Sequence, residues 1–148
     1  MVAGFTMGAK RILFLCVANS ARSQMAEGLA RARFGPGVVV ASAGSAPRSV
    51  HPLALRAMQE IGVDISGQRA KHVDELAGTK FDVVVTLCAE EVCPVYLHAA
   101  KRLHWPIDDP AAGLEGLSEA EALERFRRAR DQIQQRIEEL PPLLENAP

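Results

Sequence analysis

The run FLCVANSARSQ, residues 14–24, sets Cys16 six positions ahead of Arg22, with Ser23 directly after the arginine. Only small or short side chains stand between them: Val17, Ala18, Asn19, Ser20 and Ala21. Such a stretch can curl until its backbone N–H groups converge above the thiol, a nest suited to a tetrahedral oxyanion. A helix opening near Ser23 would add the positive end of its dipole. The planar fork of Arg22 would grip two of the anion's oxygens, which a lysine does less specifically. Asn19 is one of the few residue types that tolerates the left-handed backbone a tight loop demands. Convergent amides, a helix N-terminus, Arg22 and the Ser23 hydroxyl all favour a thiolate, so Cys16 reads as a nucleophile and residues 17–23 as its substrate cradle. A lone cysteine at a strand end is ordinarily a small buried hydrophobe. The arginine, the small residues and the helix start argue against that here.

Such a loop needs a rigid scaffold. RILFLCVA (11–18) and FDVVVTLC (81–88) are near-continuous apolar runs rich in β-branched residues, as strands of a parallel sheet covered on both faces must be. VVVASAG (38–44) reads as a third strand and KRLHWPI (101–107) as a weaker fourth. Residues 23–34 carry Met25, Ala26, Leu29 and Ala30 on one helical face and stop at GPG. A second helix is expected over 52–61, with Pro52 in its first turn and Gly62 at its C-terminal cap. A last helix opens with Ser118 and Glu121 in capping-box spacing, carries Leu123, Phe126, Ile133, Ile137 and Leu140, and stops at Pro141 and Pro142. Alternating strands and helices with short connections predict a doubly wound α/β domain: four parallel strands, flavodoxin-like in order, with helices on both faces. Cys16 and Cys88 then lie at the carboxyl edge of the sheet, where such folds bind ligands.

Composition narrows the function. The 148 residues are 48% hydrophobic and 24% charged, with a net charge of −1, which suits one globular domain and gives no bulk electrostatic reason to bind nucleic acid or a membrane. The apolar runs are far shorter than the roughly 20 residues of a membrane helix. Residues 1–9 read as a flexible extension, with Met7 an alternative start; 10–142 is the expected catalytic domain and 143–148 a tail. Three cysteines without a signal peptide point to a reducing compartment, the cytoplasm, and a monomer is expected.

The segment CVANSARSQMAEG resembles the phosphate-binding loop of the low-molecular-weight protein tyrosine phosphatases and of the arsenate reductases that share their fold. The resemblance continues through SAG, TLC, CP, HW and DDPAAG, across most of residues 11–140. It implies a Cys16 thiolate that attacks a tetrahedral anion, Arg22 as its clamp and Asp109, directly before Pro110, as the general acid. The two branches differ in sulfur. A phosphatase needs one cysteine, whereas a reductase must dispose of two oxidising equivalents, and the thioredoxin-coupled arsenate reductases do so with three. Resemblance to that branch implies that Cys88 attacks Cys16 as arsenite leaves, and that Cys93 then moves the disulfide outward, where thioredoxin, recharged from NADPH through thioredoxin reductase, reduces it. No tightly bound cofactor or metal is expected, and phosphate or sulfate should compete with arsenate.

Three further features bear on this reading. A helical CAEEVC would separate Cys88 from Cys93 by about 7.5 Å of rise, beyond the roughly 4.4–6.8 Å Cα separation of a disulfide. Oxidation therefore requires a different shape, which Pro94 and an exposed AEE favour. In several relatives a potassium ion sits behind the loop against residues matching Asn19 and Glu27; here SGQRAKHVDEL offers Arg69 and Lys71, whose ammonium could stand in for it, or both could be solvated surface charges. Finally, Cys88, Cys93, His98 and His104 form C-x4-C-x4-H-x5-H, an atypical zinc spacing that would leave the Cys16 loop unexplained. His51 and His72 read as surface or capping residues, Trp105 as packing beside the site, and Asp108 as a solvated turn residue.

Overall fold

The computed structural model describes residues 9–89 and 92–145. Four parallel strands, β1 (Lys10–Leu15), β2 (Val38–Ala43), β3 (Phe81–Thr86) and β4 (Ala99–His104), form one sheet in the order β2-β1-β3-β4. Leu15 pairs with Ala43 on one side and Thr86 on the other, and Thr86 pairs with His104, so all four strands end at one edge. Cys16, Gly44, Leu87 and Trp105 are therefore the first residues beyond the four strands. The chain leaves β1 at Leu15, so Cys16 opens the loop instead of lying within the expected 11–18 strand.

Alternation of side chains sends Ile12, Phe14, Val83 and Val85 to one face. There they meet α1 (Arg22–Phe34), α2 (Pro52–Gln59) and α3 (Glu119–Ile137), through Met25, Leu29, Met58, Phe126 and Ile133. Leu13, Leu15, Phe81 and Val84 face the other way, under Tyr96 and a 3-10 turn, Val73–Leu76. Ser118 caps α3 as its sequence indicates: its hydroxyl accepts from Glu121 N–H at 3.1 Å while the Glu121 carboxylate accepts from Ser118 N–H at 2.8 Å. Gly62, at φ 78°, closes the turn after α2.

Other boundaries differ from the sequence reading as well: β3 ends at Thr86, so Cys88, like Cys16, lies beyond its strand, and α2 ends at Gln59. β4 starts at Ala99 and stops at His104; Trp105 N–H still donates to Thr86 O at 2.8 Å, but Pro106, with no N–H to give, follows. The last helix ends at Ile137, and Pro141 opens a new one, α4 (Pro141–Glu145), since proline fits the first turn of a helix where no N–H is needed. The expected tail from 143 thus begins inside a helix, and Leu144 joins the core. Residues 1–8 of the expected extension and the end of the tail, 146–148, lie outside the described residues. Among the described residues no helix is long and apolar enough to cross a membrane.

Candidate active site

The loop after β1 is shaped by the segment after β2, which runs alongside it. Ala46, Arg48 and His51 donate their N–H groups to the carbonyls of Val17, Ala18 and Ser20 at 2.9, 2.8 and 3.0 Å. A trans peptide points its C=O and its following N–H in opposite directions. Drawing those three carbonyls outward turns the N–H groups of Ala18, Asn19 and Ala21 inward, toward the hollow above Cys16. Asn19 makes the tight bend with φ 47°, the left-handed conformation its residue type allows. Gly44 lets the two segments approach: a Cβ there would stand 2.3 Å from Val17 O and 2.7 Å from Cys16 O. α1 begins at Arg22 with no side-chain cap from Ala21, so the positive end of its dipole faces the same hollow.

Beneath the loop runs a buried polar chain whose direction can be assigned. Asn19 Oδ1 accepts from Lys71 N–H at 2.9 Å and from Gln24 Nε2 at 3.1 Å, which fixes its amide. Its Nδ2 donates to Ser42 Oγ at 3.0 Å and to Ser23 Oγ at 2.7 Å. The Ser42 hydroxyl in turn donates to Glu27 Oε1 at 2.6 Å. Ser23 Oγ, which accepts from Asn19, lies 2.9 Å from Cys16 Sγ and donates to it when Cys16 is a thiolate. Lys71 Nζ donates to the carbonyls of Ser42 and Arg69 at 2.9 and 3.1 Å. Burial holds this ammonium below the ordinary lysine range, and the Glu27 carboxylate opposes that effect. Arg69 turns outward to Glu75 at 2.7 Å, so of the two cations considered behind the loop only Lys71 reaches in.

Arg22 is 4% exposed, its Nη1 donated to Ile107 O at 2.9 Å and, more weakly, to Leu87 O at 3.4 Å. The loops after β3 and β4 thus hold its fork. Its Nη2 lies 3.8 Å from Asp109 Oδ2, whose partner oxygen accepts from Ala111 N–H at 3.0 Å. Cys16, the loop residues Val17, Ala18, Ser20, Ala21 and Arg22, and Asp109, Ala111, His51 and Arg48 share one open cavity of about 450 Å³. Among the described lining residues there is no Phe, Tyr or Trp.

Cys88 follows β3, beside β1, with Leu87 N–H donated to Leu15 O at 2.9 Å, so the residues after these two strands stand side by side. Cys88 and Cys93 are joined in a disulfide with Cα atoms 5.6 Å apart, and Cys16 is a free, buried thiol. The segment from 92 to 98 is not helical, as that bridge requires; Glu90 and Glu91, expected to be exposed, lie outside the described residues. The Cys93 sulfur rests 3.8 Å from Leu15 O, against the peptide that leads into Cys16. Tyr96 anchors the segment, its hydroxyl against the carbonyls of Leu76 and Thr79, and Arg102 donates to Leu97 O at 2.7 Å. With both thiols in the disulfide and His104 Nδ1 bonded to Thr86 Oγ1 at 2.6 Å, three of the four residues of the zinc spacing are otherwise engaged.

A cysteine-centred oxyanion loop at the carboxyl edge of a four-stranded parallel sheet, faced by an Asp-Pro, defines the class. The chain belongs to the low molecular weight phosphotyrosine protein phosphatase family, whose model matches residues 11–147. Within it the chain is 47% identical, over 133 residues, to an arsenate reductase of Halalkalibacterium halodurans, covering 88% of this chain and 94% of that one. A solved arsenate reductase in the phosphate binding state superposes with TM-score 0.75 and 35% identity, over 93% and 99% of the two chains. A thioredoxin-dependent arsenate reductase of Corynebacterium glutamicum superposes with TM-score 0.67 and 32% identity, over 93% of this chain and 62% of that one.

Sequence motifs located Cys16, Arg22, Asp109 and the cysteine pair, and the fold brings all of them to one edge. They did not reveal the segment 46–51, because it acts through backbone N–H groups that every residue but proline carries. His51 and His72 do cap, accepting from Leu53 and Asp74 N–H at 3.0 Å each, but His51 also lines the cavity. Trp105 packs on Phe14, ring centroids 6.2 Å apart, under the Arg136 guanidinium.

Proposed function

We propose that this protein reduces arsenate to arsenite and is regenerated by thioredoxin. The observation that carries the reading is the Cys88–Cys93 disulfide beside a free Cys16 in the oxyanion loop, the arrangement in which such a cycle ends. The family membership and the arsenate reductase relatives support it.

In this reading, amides of residues 17–23 and the Arg22 fork hold arsenate above Cys16. The thiolate attacks arsenic, and Asp109 gives a proton to the oxygen that departs as water. Cys88 then attacks the Cys16 sulfur; the sulfur–arsenic bond breaks, its electron pair stays on arsenic, and arsenite leaves as As(III). The Cys93 thiolate attacks Cys88, releasing Cys16 as a thiolate and forming the Cys88–Cys93 disulfide. Cys88 is 1% exposed and Cys93 half-buried, so an external dithiol meets Cys93 first. Thioredoxin supplies that dithiol, with NADPH as the ultimate reductant through thioredoxin reductase. The cycle needs no bound cofactor or metal and can run in a monomer of the cytoplasm, residues 10–142 forming the catalytic unit.

Hydrolysis of phosphate monoesters is the second reading, since the loop and its cysteine suffice for a phosphocysteine intermediate. A cavity without a Phe, Tyr or Trp among its described lining gives a phosphotyrosine ring nothing to stack on. The deciding experiment measures NADPH oxidation with thioredoxin, thioredoxin reductase and arsenate, for the wild type and for Cys16→Ser, Cys88→Ser and Cys93→Ser. Arsenate-dependent turnover lost in all three variants is expected. Absence of turnover, with aryl phosphate hydrolysis that survives Cys88→Ser, would establish the phosphatase instead.

A further inference from the structure

His51 is the cavity residue to which the cycle above gives no task. Its N–H is donated to Ser20 O, and its carbonyl accepts from Ala54 and Leu55 N–H at 3.0 and 3.1 Å, closing the first turn of α2. The imidazole leans on Phe126, ring centroids 4.6 Å apart, and its Nδ1 accepts from Leu53 N–H at 3.0 Å. A ring nitrogen that accepts an N–H carries no proton, so a neutral His51 must hold its proton on Nε2. Burial keeps the ring below the ordinary histidine range, against the opposing pull of the Asp109 carboxylate, so the neutral form prevails at pH 7. Nε2 has no hydrogen-bonded protein partner among the described residues. The ring stands in the cavity wall with Cys16, Arg22 and Asp109.

We propose that His51 is a substrate-binding residue whose Nε2–H donates to the outward-facing oxygen of a tetrahedral oxyanion held above Cys16. The inference rests on residues 16–23 being an oxyanion cradle, and not on what becomes of the anion. The inward amides and Arg22 hold the oxygens nearest the loop. The remaining oxygen, opposite the Cys16 sulfur, faces Asp109 and the open side of the cavity. A neutral donor there binds that oxygen without adding charge to the Asp109 neighbourhood.

Two substitutions separate this role from capping. Asn at 51 retains an acceptor where Nδ1 stands and is a strong N-cap, but nothing reaches the Nε2 position. Gln sets an amide nitrogen near Nε2 and loses the cap. The probe is inorganic phosphate, its Kd measured by calorimetry at pH 7.5, with Tm measured alongside. His51→Asn should keep its Tm and bind phosphate about ten- to a hundredfold more weakly, the worth of one hydrogen bond between neutral and charged groups. His51→Gln should lose Tm and bind more tightly than His51→Asn. Addition of phosphate to the wild type should also shift the His51 Nε2–H resonance in nitrogen-15 spectra. Wild-type affinity in His51→Asn overturns the proposal while leaving the cradle intact. Should that variant fold poorly, a Nε2–H resonance indifferent to phosphate overturns it. No phosphate binding by the wild type would remove the cradle, and this inference with it.

Discussion

Asn19 donates to Ser23 Oγ at 2.7 Å, and that hydroxyl stands 2.9 Å from the Cys16 sulfur, so it keeps its one proton for a Cys16 thiolate, which can only accept. An amide that never touches the sulfur thus holds the hydroxyl beside it. Ser23→Ala should slow alkylation of Cys16 by iodoacetamide at pH 7 about tenfold, the effect of one charge-assisted hydrogen bond. With Cys88 and Cys93 oxidised, Cys16 is the single reactive thiol, so mass spectrometry reads the rate directly. An unchanged rate would mean that the hydroxyl points elsewhere.

Lys71 fills the space behind the loop with an ammonium bonded to two backbone carbonyls, Ser42 O and Arg69 O. The wild-type Tm should be the same in KCl and NaCl. Lys71→Met removes the ammonium from Ser42 O and leaves Arg69 O with Gln24 Nε2 alone, and should cost about 1–3 kcal/mol. Potassium, more than sodium, should restore part of that loss. A wild type that gains stability from potassium would show that the ammonium does not fill the site.

Gly44→Ala tests the backbone frame of the cradle. The added Cβ meets the carbonyl oxygens of Val17 and Cys16, neither of them the end of a flexible side chain, so the loop itself must move. Overpacking of this kind costs about 1–3 kcal/mol. Phosphate affinity should fall more than Tm does, because displacement turns several amides away together. Normal phosphate binding by the variant would show that the two segments need no such close approach.

Glu60 joins α2 to α3 through Arg127 at 2.6 Å and Arg130 at 3.0 Å, and hydrogen bonds from Arg127 above all push its carboxyl down to about 2. A carboxylate with a depressed folded value stabilises above the ordinary glutamate range, roughly pH 4.3, and that stability drains away as pH falls through about 2. Glu60→Gln should therefore lower Tm at pH 7, and the gap to wild type should narrow between about pH 4 and 2. A gap that stays constant with pH would assign the loss to packing.

How much of this could be read from sequence depended on burial. β1, β3 and α1 announced themselves because both faces of the central strands are covered, leaving unbroken apolar runs, and because Met25, Ala26, Leu29 and Ala30 share one face. β4 is an edge strand with Lys101 and Arg102 exposed, so its start at Ala99 had no apolar signal. Pro141 was ambiguous in principle: the same ring that stops one helix opens another. In the site, Cys16, Arg22 and Asp109 stood out because side-chain chemistry names them. The segment that bends the loop, and the second face of His51, depend on tertiary proximity alone.

Leu15 O, finally, accepts from Leu87 N–H and lies 3.8 Å from the Cys93 sulfur, while its own peptide continues into Cys16. One carbonyl is thus in touch with both sulfur centres. Labelled with carbon-13, it would be a built-in vibrational reporter, its stretching frequency registering the opening and closing of the disulfide with no probe attached to any cysteine.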